Sequence, residues 1–193
     1  MSTRPDTAAA QDMAEELEAD LALYPDERAQ ILIEAAHAWQ QAGKHDRAIA
    51  LLTEAIALGG EDGASARVEL AEVHFDLGDA EQAHTQLDGL RHQRPSSPTP
   101  YHLAAELLEE RGELQQALTW FNMAVSRLTE EEMTQRDTKV GLFSRAADLL
   151  AGRRRALQAL GLPSDEWDHS AQAHTEHAEE HLKDISGALE PPD

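Results

Sequence analysis

The chain has 193 residues and a formal net charge of −21, so most of its surface is expected to repel nucleic acids and anionic membranes. It contains no cysteine, which excludes disulfides, thiolate metal ligands and cysteine nucleophiles. Aromatic residues make up only 4%, so the core must be built from Ala, Leu, Ile and Val, a composition that favours closely packed helices. No run of about eighteen apolar residues occurs, and we therefore expect no membrane-spanning segment.

Residues 1–28 are predicted to form an N-terminal tail followed by a capping helix. The first residues, MSTRPDTAAAQDMAEELEADL, include no apolar signal-peptide core, and we therefore expect a cytoplasmic protein. Residues 8–23 carry apolar side chains at helical spacing, with Leu17 and Leu21 on one stripe. The excess of arginine over lysine, 13 to 3, indicates a GC-rich bacterial genome.

Residues 29–131 consist of three segments that align with one another: residues 29–63, 64–97 and 98–131. A glycine occupies the same place in each: Gly43, Gly78 and Gly112. An alanine follows five residues later: Ala48, Ala83 and Ala117. Apolar spacing on both sides of each glycine predicts two amphipathic helices joined by a turn in which the glycine is left-handed. A single hairpin of this kind cannot bury its apolar face, so we expect the hairpins to stack.

This pattern resembles the tetratricopeptide repeat (TPR), a helix-turn-helix unit of about 34 residues. The first and third segments match the family at its small and large apolar positions: Leu32, Ala35, Ala36, Trp39, Leu52 and Ala55, then Tyr101, Ala104, Ala105, Leu108, Phe121 and Ala124. The second segment departs at His74 and Leu90, where we expect looser local packing. The resemblance implies an all-α, right-handed helix-hairpin superhelix (a TPR-like solenoid) with helical caps. It also implies a non-catalytic adaptor, scaffold or assembly factor that works by protein–protein interaction.

The resemblance further implies a concave groove lined by the first helix of each repeat. The positions that point into it correspond here to Gln30, Ile33, His37, Gln40, Ser65, Val68, Glu72, Phe75, Thr99, His102, Glu106 and Glu109. None of these is Lys, Asn or Arg, so the carboxylate clamp that some TPR proteins use for acidic peptide ends is not expected. The glutamates, with Ile33 and Phe75 as apolar anchors, favour a basic peptide or protein partner. A surface that is merely solvated is the alternative interpretation.

Two histidines of the predicted groove suggest a pH-dependent interaction. His37 is expected near Glu72, and His102 is expected near Glu106. If these histidines gain a charge near pH 6, they would weaken the attraction of the groove for cations.

Residues 132–187 are predicted to form C-terminal capping helices, and residues 188–193 a disordered tail. Apolar spacing predicts a long helix from Glu132 to Leu160, which Gly161 would end. A further helix is expected to follow it.

This final predicted helix carries three histidines on one stripe: His174, His177 and His181. The stretch HAEEH fits H-x-x-E-H, the motif of one class of zinc proteases. A helix at the exposed end of an array has no walls that exclude water, and no other catalytic motif occurs, so we expect no enzymatic activity and no cofactor. Metal binding or metal sensing by this stripe is the alternative function, and self-association of the chain is left open.

Overall fold

A computed structural model describes residues 7–135 and 145–163 of the chain. Within these ranges the backbone forms nine α-helices and one short 3-10 helix, Pro25–Glu27, and no β-strand. In chain order the α-helices are α1 (Thr7–Asp20), α2 (Arg28–Gln41), α3 (His45–Leu58), α4 (Gly60–Asp76), α5 (Ala80–Gln93), α6 (Thr99–Glu110), α7 (Leu114–Val125), α8 (Glu130–Gln135) and α9 (Arg145–Ala159). The predicted all-α class is therefore confirmed.

Part of the predicted C-terminal region lies outside the described residues. Residues 136–144 fall in the middle of the predicted long helix, and residues 164–193 include the predicted final helix and tail. The described residues of this predicted region form two helices, α8 and α9. Gly161 follows the end of α9 with a φ of +66°, in agreement with its predicted role as a helix stop.

The chain divides into two compact units, Met1–Ser96 and Ser97–Asp193. In the first unit α2 and α3 form one hairpin and α4 and α5 form another, while α1 packs on α2 and α4 packs on α3. In the second unit α6 and α7 form a hairpin, and α9 packs mainly on α7. Both units are therefore built from neighbouring antiparallel helices, as the repeated pattern predicts.

The first helix of each hairpin ends in the same hydrogen-bonded turn. Its glycine has a φ between +72° and +78°, at Gly43, Gly78 and Gly112. The next residue donates its N–H to the carbonyl five residues back, in the pairs Lys44–Trp39, Asp79–His74 and Glu113–Leu108, at 2.8 to 2.9 Å. This is the Schellman arrangement, and only glycine reaches this backbone conformation without strain. The predicted turns are therefore correct in position and in chemistry.

Small residues allow the helices of the first unit to pack closely. Its core cluster comes from α2, α3 and α4 and consists of Leu32, Ala35, Ala36, Ala48, Leu51, Leu52, Ala55, Ala66, Leu70 and Val73. Leu17 of α1 and Leu21, just after the end of α1, pack against this cluster, as the predicted stripe requires. Each leucine that is fully buried contributes about 1.5–3 kcal/mol to stability, and the alanines let the backbones approach.

The boundary of α1 differs from the prediction. The predicted helix reached residue 23, but α1 ends at Asp20, whose carbonyl accepts N–H bonds from Leu23 and Tyr24 at 2.9 and 3.0 Å. Pro25 then begins the 3-10 helix, because proline cannot continue a helical hydrogen-bond ladder. Leu23 and Tyr24 are consequently exposed.

The expected looser packing in the second segment is wrong at Leu90 of α5. Leu90 is completely buried. The neighbouring Gly89 lies against the guanidinium of Arg67, and a Cβ at this position would come within 2.9 Å of Arg67 Nη1. A leucine therefore fills a place where the family pattern has a small residue, and the adjacent glycine leaves room for the arginine.

Three large aromatic side chains lie in the core of the second unit, among buried alanines and leucines. Tyr101, Trp120 and Phe121 are all at most 1% exposed, and the Tyr101 and Trp120 ring centroids are 5.8 Å apart. The Arg127 guanidinium lies 3.6 Å from the centroid of the Tyr101 ring, a cation–π contact. A Cβ on Gly152 of α9 would lie only 2.5 Å from Phe121 Cε1, so this glycine permits α9 to approach α7.

Candidate functional site

A cavity of about 390 Å³ lies between α1, α2 and α4 in the first unit. It is called the first-unit pocket, and its lining residues are Met13, Leu17, Ile33, Glu34, His37 and Glu69. Side chains four residues apart on a helix share a face, which explains why Met13 and Leu17 form one wall and Ile33 and His37 another. The pocket therefore combines an apolar interior with two carboxyl groups and one imidazole.

A polar network holds the wall that α1 contributes. Glu18 accepts a hydrogen bond from Trp39 Nε1 at 2.6 Å and one from Arg47 Nε at 2.9 Å. The Arg47 hydrogen bond lowers the pKa of Glu18 below its ordinary value, against the opposing effect of partial burial. Glu18 thus ties α1 to α2 and α3, and this contact positions Met13 and Leu17 at the pocket.

Glu69 is the residue with the most perturbed environment in the pocket. It is half-buried on α4, and burial raises the pKa of its carboxyl, while nearby His37 has a smaller opposite effect. Among the described residues that line the pocket there is no Lys or Arg. Burial that removes water from a carboxylate without supplying a cation raises the free energy of its ionised form. A cation in the pocket would therefore favour the ionised form of Glu69.

Sequence reasoning did not identify Glu69; it placed Glu72 near His37, and that proximity stays a prediction. The carboxyl that α4 contributes to the pocket belongs to Glu69, about one turn before Glu72. A signal was present, because Glu69 lies between two apolar residues, Val68 and Leu70, which are both buried. Met13 and Leu17 were also missed as site residues, since α1 was treated only as a cap.

The other predicted groove residues of the first unit lie in several environments. Gln40 on α2 donates to Asp76 on α4 at 2.8 Å, and Gln30 donates to Glu34 at 2.8 Å. Val68 is 5% exposed and belongs to the core, so it offers little surface to a partner. The remaining three are half-buried: Ser65, Glu72 and Phe75. The Phe75 ring meets the His84 ring edge-on, with centroids 5.4 Å apart.

In the second unit the predicted groove carboxylate Glu109 is bound by an arginine of the same chain. Arg155 of α9 donates to Glu109 through Nη2 at 2.9 Å and through Nε at 3.3 Å. The hydrogen bond raises the pKa of the Arg155 guanidinium further above its ordinary value. The neighbouring Arg153 donates to Asn122 of α7 at 2.7 Å. Arg153 and Arg155 therefore attach α9 to the α6–α7 hairpin.

The two other predicted groove residues with ionisable side chains in the second unit lie close together. His102 Nε2 is 3.5 Å from Glu106 Oε1, in agreement with the predicted proximity. Thr99, at the start of α6, is half-buried and accepts a hydrogen bond from Ser97 at 3.2 Å. The His102 ring also lies 6.0 Å from the Phe121 ring, between their centroids.

The structure shows no metal centre and no membrane span in its described part. Over residues 7–135 and 145–163, no group of three or more His, Cys, Asp or Glu side chains is arranged to hold a metal ion. In the same ranges, no helix has the length and apolar character needed to cross a bilayer. The histidine stripe of His174, His177 and His181 lies outside the described residues, so the metal-binding alternative stays a prediction.

Comparison with known proteins connects the fold to a family. The family model described as tetratricopeptide repeat matches residues 40–107, which run from the end of α2 into α6. Among curated protein sequences, none matches the chain.

Several solved structures have a similar fold. BtubC (BKLC) from P. vanneervenii shares 16% identity and a TM-score of 0.53, over 98% of this chain and 78% of that one. The nearly identical TPR-like repeats ascribed to a kinesin light chain of Podosopora anserina share 18% identity and a TM-score of 0.54, over 92% and 88% of the two chains. Another structure of these Podosopora anserina repeats shares 17% identity and a TM-score of 0.51, over 92% of this chain and 99% of that one. At these identities the similarity shows a shared fold.

Proposed function

Because this chain is a tetratricopeptide-repeat protein, we propose that it is a non-catalytic interaction module whose first unit binds a basic segment of a partner protein. Repeats of this family generally mediate protein–protein interaction, and stacked hairpins provide extended surfaces for that purpose. The protein would then work as an adaptor, scaffold or assembly factor.

The first-unit pocket is the observation that carries this proposal. Ile33 and His37, two residues that the family resemblance assigns to the groove, line a cavity together with the carboxyl groups of Glu34 and Glu69. Apolar walls supply contact area, and the carboxyl groups select for positive charge. The net charge of −21 adds long-range attraction for a basic partner.

The proposal is tested by affinity capture with the full chain as bait. One bait carries Glu34→Gln and Glu69→Gln, and a matched control carries Glu81→Gln and Asp88→Asn, two exposed positions on α5. Both baits lose two negative charges, so a difference in the proteins they capture results from the pocket and not from the net charge. Circular dichroism establishes that each bait is folded.

We expect wild type and the α5 control to capture the same basic partner, and the pocket variant to lose it. Equal capture by the two variants would remove the pocket from the interaction. Capture of predominantly acidic proteins by wild type would contradict the assigned partner charge.

A further inference from the structure

The size and walls of the first-unit pocket limit what it can accept. Its volume of about 390 Å³ is at the lower end of the range for ligand pockets, roughly 300–1,000 Å³. Such a volume suits one inserted side chain better than a whole secondary-structure element. Three apolar side chains surround it: Met13, Leu17 and Ile33. Met13 has a flexible thioether that adapts to an alkyl chain, so the walls suit a long unbranched aliphatic segment.

The charge of the pocket limits the chemistry further. Glu69 is half-buried and Glu34 is exposed, so one carboxyl lies within the pocket and the other lies nearer to solvent. The His37 ring is already in contact with a polar neighbour, since its Nε2 lies 2.8 Å from Gln41 Nε2. An acidic side chain would be repelled by both carboxyl groups. A purely apolar side chain would remove more water from Glu69 without replacing it.

We infer that the first-unit pocket is the subsite for one lysine or arginine side chain of the partner, with its alkyl stem against Met13, Leu17 and Ile33 and its charge paired with Glu69. Lysine and arginine combine an aliphatic stem with a terminal cation, which is the combination that the lining complements. This inference rests on the proposed function and makes it specific, because it names the residue type that the groove selects and the carboxyl group that selects it.

A random peptide library displayed on phage and selected on the full chain tests this specificity. Each selected peptide is synthesised in two forms, one with its lysine or arginine and one with norleucine in its place. Norleucine keeps the alkyl stem and removes the charge. Both forms are titrated by calorimetry into wild type, Glu69→Gln, Met13→Ala and the exposed control Glu81→Gln.

We expect the exchange to norleucine to weaken binding to wild type and to Glu81→Gln by about tenfold, and to change little in Glu69→Gln. Met13→Ala should weaken both peptide forms, because both insert an alkyl stem. This pattern, a coupling between one cation and one carboxyl, is not expected from general charge attraction.

Two outcomes would contradict the inference, and they are distinguishable from each other. If binding depends on Met13 and Glu69 but the norleucine form binds as well as the cationic form, the inference fails because the pocket does not select a cation, while peptide binding by the first unit stands. If no peptide is selected, or if neither pocket variant affects binding, the proposed function fails and the inference fails with it.

Discussion

Glu69 in the first unit and Glu109 in the second unit are both carboxylic acids on the first helix of a hairpin, but their surroundings differ. Glu109 of α6 is held by two hydrogen bonds from Arg155 of α9. Glu69 of α4 lies at a cavity lined by apolar residues, with His37 as the nearby imidazole. The chain thus pairs one acid internally and leaves the other at a pocket. An acidic sequence therefore does not by itself indicate which carboxylates can bind a partner.

The pairing of Glu109 depends on α9, which packs next to the α6–α7 hairpin. In the second unit α9 packs on α7 and reaches α6, in the way that α4 packs on α3 and α2 in the first unit. The helix α9 also ends in the same turn, since Leu162 donates to the Leu157 carbonyl at 2.9 Å. Its place beside α7 and its terminal turn are therefore those of the first helix of a hairpin, and it brings Arg155 to Glu109.

The largest predicted effect comes from preventing the approach of α9. Gly152→Ala places a Cβ against the completely buried Phe121 ring, and overpacking of this kind costs about 1–3 kcal/mol of unfolding free energy. Urea denaturation, monitored by circular dichroism, measures the decrease in the free energy of unfolding.

Gly89→Ala is the matched control for this substitution. Its new Cβ meets the end of the flexible Arg67 side chain, which can move, and alanine gains up to about 1 kcal/mol of helix propensity. The two substitutions should therefore have opposite signs. A stabilised Gly152→Ala protein would show that α9 is not closely packed on Phe121.

A smaller effect is expected from the ion pair that distinguishes the second unit. A double-mutant cycle of Glu109→Gln and Arg155→Gln should give a coupling energy of about 0.5–1 kcal/mol, because the pair has two hydrogen bonds but remains partly exposed. Denaturation at low and high salt provides the measurement. A coupling energy of zero at low salt would contradict a stabilising pair between Glu109 and Arg155.

The smallest effect concerns the pH dependence of stability at Glu69. Burial raises the pKa of its carboxyl in the folded state, so folding takes up protons in the window between the unfolded pKa, about 4.3, and the higher folded pKa. The stability that Glu69 contributes therefore falls as pH rises through this window. Glu69→Gln should make the protein slightly more stable at pH 7, and this gain should disappear below the unfolded pKa.

Asp88→Asn, an exposed substitution away from both ends of α5, measures how much of that gain follows from the reduced net charge alone. Thermal unfolding of both variants between acidic and neutral pH gives the comparison. A loss of stability in Glu69→Gln at pH 7 would indicate that the carboxylate already has a stabilising partner.

Local features of the fold could be predicted from sequence, and contacts between distant residues could not. The turns at Gly43, Gly78 and Gly112 depend on one residue type and its immediate neighbours, so their position follows from the repeated pattern. The pairing of Arg155 with Glu109 joins residues 46 positions apart and depends on how α9 packs. No sequence pattern around either residue indicates that the two form a pair.

The candidate site combines residues of one helix, which the sequence relates to each other, with residues of other helices, which it does not. Ile33 and His37 share one face of one helix, and both of these predicted groove residues line the pocket. Val68 was assigned to the groove by its place in the repeat, but neighbouring side chains cover it almost completely. Glu69 and Met13 reach the pocket from other helices, and this requires the packing of α1 and α4 on α2.

The most direct test compares the two acids in one binding measurement. The affinity of the captured basic partner is determined by calorimetry for wild type, Glu69→Gln and Glu109→Gln, which differ in charge from wild type by the same amount. We predict that Glu69→Gln weakens binding about tenfold and that Glu109→Gln leaves it within about twofold of wild type, because Arg155 already pairs with Glu109. Equal effects of the two substitutions, or a larger effect of Glu109→Gln, would contradict the assignment of binding to the first-unit pocket.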